Sequence, residues 1–139
     1  MINLLAWLLL LSSAQEGEPR FAAYDVFVDA DAKTLAAYQI EVVCNASKNK
    51  IAGVEGGEPP QFSGAPYYDP AALQGGRIIL AAFTTEDSPP TGRVRVARIH
   101  MQEAADSKGE YTAKLMTAAA AGGKRIDAKV ELVRAGVKK

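Results

Sequence analysis

The chain is poor in the residues that most site chemistry uses. Its 139 residues include one cysteine, one histidine and one tryptophan. Cys44 has no partner for an internal disulfide, so packing alone must hold the fold. It adjoins an apolar run, with no base or metal partner suggested nearby, and reads as a small half-buried hydrophobe. His100 stands beside Arg98 in a strand-like segment, and no Ser, Cys or Asp falls at a spacing that would form a triad with it. A structural histidine is the reading, and no catalytic residue and no cofactor is assigned. An excess of either charge is also missing, because 16 basic residues balance 16 acidic ones. A dedicated nucleic-acid binder needs a basic excess to displace counterions, so that class is set aside. Heptads, internal repeats and long helical periods are absent as well.

One long hydrophobic run exists, and it is N-terminal. Met1 to Leu11 (MINLLAWLLLL) is uncharged, contains the single tryptophan, and is followed by Ser12-Ser-Ala14. A short apolar core with small residues at −3 and −1 is the pattern of a secretory signal, with cleavage expected after Ala14. The run is shorter than the roughly 20 residues of a membrane span. No Lys or Arg precedes it, and a retained N-terminal anchor is the alternative. With the signal removed, no membrane segment is expected, and the protein belongs outside the cytoplasm, secreted or in the cell envelope. The expected layout is a signal peptide at 1–14, a short polar tether at 15–20 and one domain at 21–135.

The domain reads as strands throughout. Residues 35–57 carry two such runs: Ala36, Tyr38, Ile40 and Val42 alternate with Ala37, Gln39 and Glu41, then a polar turn at Asn45 to Asn49 leads into Ile51 and Val54. These predict a central hairpin. Phe21 to Val28 predicts an earlier strand, and Asp29 to Lys33 a turn. Arg77 to Thr84 is apolar on both faces, as expected of a central strand. Arg93 to Gln102 changes phase, predicting a β-bulge near Ala97-Arg98. Tyr111 to Leu115 and Ile126 to Leu132 alternate again. Tyr38, Ile40, Val42, Val94, Val96, Ile126, Val130 and Leu132 are the expected core. The fold class is therefore all-β, an antiparallel β-sandwich or jelly roll.

Laid out in order, the strands resemble the cohesin domains and related carbohydrate-binding modules of cellulose-degrading systems. The pieces that carry the resemblance are Leu35 to Tyr38, Asn45 to Lys48, Lys50 to Gly56, Gly76 to Phe83 and Gly92 to Ile99, spread over about residues 21–134. Where the family carries Tyr-Asp-Pro, this chain has Cys44-Asn45-Ala46. The resemblance implies a cohesin-like sandwich and a non-catalytic binding module, taking a polysaccharide or a protein partner. A protein-interaction module without carbohydrate binding and a purely structural exported domain stay open.

The candidate binding surface lies in the irregular stretch 58–76, where four prolines (Pro59, Pro60, Pro66 and Pro70) rule out a central strand. Asp69-Pro70 predicts one helical turn with Asp69 as its N-cap. Tyr67, Tyr68 and Asp69 are the candidate ligand-binding residues. Adjacent side chains in extended chain point opposite ways, so one ring is expected to face a ligand and the other the core. Asp29 and Asp31 are a weak metal candidate: two carboxylates fall far short of the six to eight oxygens that calcium takes, and an Asp-capped turn is the preferred reading.

Overall fold

The computed structural model describes residues 17–45, 48–107 and 109–136. The signal segment, its cleavage point and the turn residues Ala46 and Ser47 lie outside the described residues. Seven strands run β1 (Arg20–Asp29), β2 (Ala37–Cys44), β3 (Lys50–Gly56), β4 (Arg77–Phe83), β5 (Arg93–Glu103), β6 (Tyr111–Ala119) and β7 (Lys129–Arg134). All pairings are antiparallel. One sheet has the order β3-β5-β1-β7 and the other β4-β2-β6. Among the described residues no helix is long and apolar enough to cross a membrane.

Period-two alternation sends one side of each sheet into a shared core. Val26 and Val28 of β1, Ile40 and Val42 of β2, Leu80 of β4, and Ile99 and Met101 of β5 are fully buried in one cluster. Tyr38, Val96 and Ile126 join them as expected, but Val94, Val130 and Leu132 are only half-buried. Val130 and Leu132 lie on β7, an edge strand with one neighbour, which leaves their outer flank open. Ile126 is buried ahead of β7, where its amide donates to the Ala118 carbonyl.

Two sequence expectations about neighbours are corrected. β2 and β3 do not form a hairpin: β2 pairs with β4 and β6, while β3 pairs with β5 in the other sheet. The polar turn between them therefore carries the chain from one sheet to the other, which alternation alone does not reveal. β4 is an edge strand rather than a central one. Of its outward apolar residues, Ala81 and Phe83 form part of a surface groove, while Ile79 lies across from Glu41. The predicted bulge is present one residue earlier: Val26 faces Ala97 and Phe27 faces Arg95, leaving Val96 as the extra residue. Val96 and Ala97 are consequently both buried.

The stretch from Gly57 to Gly76 is a strap across one flank of the sandwich, linking β3 to β4. Phe62, in a short 3-10 turn (Pro60–Phe62), is buried edge-on against the Tyr38 ring, with centroids 5.5 Å apart. A Cβ on Gly56 would collide with the Ser63 carbonyl, and one on Gly57 with the Arg95 carbonyl, so the glycine pair allows this close backbone approach. Further on, Tyr67 exchanges two backbone hydrogen bonds with Ala81, and Ile51 exchanges two with Gln74 and Gly75. The strap thereby occupies part of the exposed edges of both β4 and β3, which otherwise present unpaired backbone groups.

Candidate functional site

Among the described residues three polar or aromatic clusters occur, and two of them are closed on themselves. At one end of the sandwich the fully buried Glu103 accepts hydrogen bonds from the Tyr24 hydroxyl at 2.8 Å, the Tyr111 hydroxyl at 2.7 Å and Arg20 Nε at 3.2 Å. The Tyr24 and Tyr111 rings pack edge-on at 4.6 Å. Asn49 extends the network, donating to Ser107 Oγ and the Tyr111 hydroxyl and accepting from the Ala104 amide. Burial alone would raise the Glu103 carboxyl. The two phenol donors, with Arg134 and Arg20, outweigh it and hold the group below its ordinary value. Conversely, burial and then the hydrogen bond to Glu103 push the Tyr24 phenol up to about 12. Among the described residues no buried side-chain polar atom lacks a partner, so this network is a structural brace with no group left over for a substrate.

The outer face of the four-stranded sheet is a lattice of charges. Arg98 bonds Asp25 at 2.7 Å, Arg93 bonds Glu131 at 3.2 Å, and His100 bonds Glu55. The Arg93 guanidinium also lies 3.7 Å from the centroid of the Phe27 ring. Here the single histidine finds its structural partner. The hydrogen bond from His100 is the largest influence that holds the Glu55 carboxyl below its ordinary value. This face answers its charges internally.

The outer face of the three-stranded sheet is different. Toward one end it carries the Arg77–Glu41 ion pair, at 2.6 Å. Lys114 stands across from Glu41 in the same row, and Arg125 is bridged to Ala119 at the far side of β6. Between them Ala37, Gln39, Ala81, Thr117 and Ala119 form the uncharged floor of a shallow groove. Cross-strand register sets Ala81, Gln39 and Thr117 in one row and Phe83, Ala37 and Ala119 in the next. Tyr67, bridged to Ala81, extends the first row beyond the edge strand. Tyr67 is 72% exposed and Phe83 64% exposed, and the two ring planes are inclined by only 14° with centroids 6.5 Å apart. Met116, the extra residue of a bulge opposite Gln39 and Ile40, is also exposed on β6. Three of the four large exposed apolar residues among those described thus belong to this one sheet and its strap, the fourth being Phe21.

Of the three residues singled out from sequence, the structure sends Tyr67 outward and packs Tyr68 against the core cluster. Asp69 Oδ1 accepts from the Ala71 amide at 3.0 Å, capping the turn Pro70–Ala72, so its carboxylate is occupied by its own backbone. Asp29 Oδ1 likewise accepts from the Asp31 amide at 2.9 Å, an Asp-capped turn. No group of three or more metal-ligating side chains exists among the described residues. Sequence reading missed Phe83, Gln39 and Thr117. Phe83 was legible as the last apolar residue of a strand, but its outward direction required knowing that β4 is an edge. Gln39 and Thr117 become neighbours only through register. Among the described residues neither is committed to an internal hydrogen bond. A third depression, at the Glu103 end, is lined by Pro19, Ala104, Ala105 and the Lys48–Asp106 pair, and carries no aromatic ring.

Comparison with protein-family models, with curated proteins and with solved structures finds no match to this chain.

Proposed function

We propose that the protein is an exported, non-catalytic binding module of the cohesin and carbohydrate-binding type, with a jelly-roll-like sandwich as its scaffold. Its ligand is a neutral polysaccharide lying across the outer face of the three-stranded sheet. One observation carries this reading: two exposed, nearly parallel rings, Tyr67 and Phe83, border an uncharged floor that offers an uncommitted amide and hydroxyl, Gln39 and Thr117. A sugar ring has the matching chemistry, an apolar C–H face to lie on an aromatic ring and hydroxyls to meet an amide. The floor is built of alanines, so a flat ligand reaches the sheet itself. Carboxylated or sulfated glycans are disfavoured, because the groove lining holds no Lys or Arg and its end portion carries Glu86 and Asp87.

Affinity electrophoresis through gels containing β-1,4-glucan, xylan, mannan or a polyuronate tests the reading. The protein is expected to be retarded by at least one neutral polymer and not by the polyuronate. Retardation by the polyuronate alone, or by none, contradicts it.

A protein partner is the second reading, favoured by Met116, which enlarges the apolar surface without serving a sugar ring. Pull-down by the mature domain of one stoichiometric protein, lost on Met116→Lys, supports that alternative.

A further inference from the structure

The groove does not end at Phe83. It continues over the sandwich end between residues 84–89 on one side and 119–123 on the other, with Ala37, Phe83 and Ala119 common to both portions. The portion over the sheet encloses about 220 Å³ and the portion at the end about 520 Å³. Small-molecule sites run from roughly 300 to 1,000 Å³, so the sheet portion is small for a ligand of several sugar units, and the adjoining end portion offers room for the rest of a longer one.

The 84–89 wall is tied to the strap by one side-chain contact: Gln61 Nε2 donates to the Ser88 carbonyl at 3.0 Å. Ser88 has φ of +56°, a conformation that non-glycine residues keep only where their surroundings impose it. The opposite wall is pinned separately, the Ala121 amide donating to Thr34 Oγ1 at 3.1 Å. Gln61 itself sits in the turn whose next residue, Phe62, is wedged against Tyr38. One segment therefore carries Tyr67 to the sheet portion and Gln61 to the wall of the end portion.

We infer that Gln61 is a positioning residue for extended ligands: by holding the Ser88 carbonyl it fixes the 84–89 wall, and so determines how much affinity the protein gains from sugar units beyond the first few. The inference rests on the glycan reading above. Gln61 reaches the wall through a surface hydrogen bond, so Gln61→Ala leaves the core and the Tyr67–Phe83 pair in place.

The test is calorimetric titration of the wild type and Gln61→Ala with the disaccharides and hexasaccharides of β-1,4-glucan, xylan and mannan, beside thermal melting. The wild type is expected to bind the hexasaccharide of its preferred glycan at least about tenfold more tightly than the disaccharide. Gln61→Ala is expected to bind the disaccharide like the wild type, and to keep less than about a third of the chain-length gain. A variant that retains the whole gain overturns the inference. So does one that loses both affinities in equal measure with a lowered melting temperature, since that is a structural effect. If the wild type binds no hexasaccharide, or Tyr67→Ala leaves both affinities unchanged, the glycan reading itself fails, whatever Gln61→Ala does.

Discussion

Tyr67 and Ala81 exchange both backbone hydrogen bonds, at 2.8 and 3.0 Å, across the edge of the three-stranded sheet. This pairing fixes which of two adjacent tyrosines faces outward. Residues paired across an antiparallel bridge project to the same face, so Tyr67 follows Ala81 outward and Tyr68 turns inward. The two substitutions should therefore separate. Tyr67→Ala is expected to melt within about 0.5 kcal/mol of the wild type and to lose about tenfold in affinity for a bound hexasaccharide. Tyr68→Ala is expected to cost about 2 kcal/mol of stability, with the residual folded protein still binding. Calorimetric melting and titration of both variants check this, and equal behaviour of the two would contradict the strap geometry.

Glu103 links stability to acid. Its carboxyl lies below the ordinary 4.5 in the folded state, through two phenols and two arginines that overcome its burial. A carboxyl lowered in this way contributes stability above pH 4.5, and the contribution is lost as pH falls through the folded-state value. Glu103→Gln is expected to cost about 1.5 to 3 kcal/mol at pH 7, the range for hydrogen bonds to a charged group. Denaturant titrations at pH 7 and pH 3 should show the gap between wild type and variant narrowing at the lower pH. A constant gap would mean that the carboxylate charge is not what the phenols hold.

The core is built by β1, β2, β4 and β5 rather than by β7. Leu80→Ala, at a fully buried position, is expected to cost about 3 kcal/mol, and Val130→Ala, half-buried on an edge strand, less than about 1.5. Urea unfolding of the two variants checks the order, and the reverse order would place the core wrongly.

Much of this fold is legible in the sequence, because alternation reports burial directly. Tyr38, Ile40 and Val42 stand in a period-two run and each is buried. The phase change in β5 located its bulge to within a residue, and Asp69-Pro70 named its own turn. Alternation does not say which strand lies beside which. β2 and β3 are adjacent in sequence but belong to different sheets, and β4 reads as central because its outer face is apolar. The site follows the same division. Tyr67 could be picked out from its loop, whereas Gln39, Phe83 and Thr117 come together only through the register of three strands.

Cys44 should be slow to react. Burial, and then the charge of Glu103, push its thiol from 9.0 up to about 11, and its sulfur lies 4.0 Å from that of Met101. Two pKa units mean about a hundredfold less thiolate at pH 8, and the thiolate is the reactive form. Labelling with an aromatic disulfide reagent is expected to be about a hundredfold slower in native buffer than in urea. Comparable rates in the two conditions would show that the thiol is open to solvent in the folded protein.

The central claim is that ligand lies on the outer face of the three-stranded sheet, and amide chemical-shift mapping tests it most directly. The isotope-labelled protein would be titrated with the hexasaccharide of the neutral polymer that retards it in gels. The amides of Ala37, Gln39, Ala81, Phe83, Thr117 and Ala119 are expected to shift together and saturably, while those of Ala23, Arg98 and His100 on the opposite sheet stay in place. Shifts confined to the opposite sheet, or to the Glu103 end of the sandwich, would contradict the account.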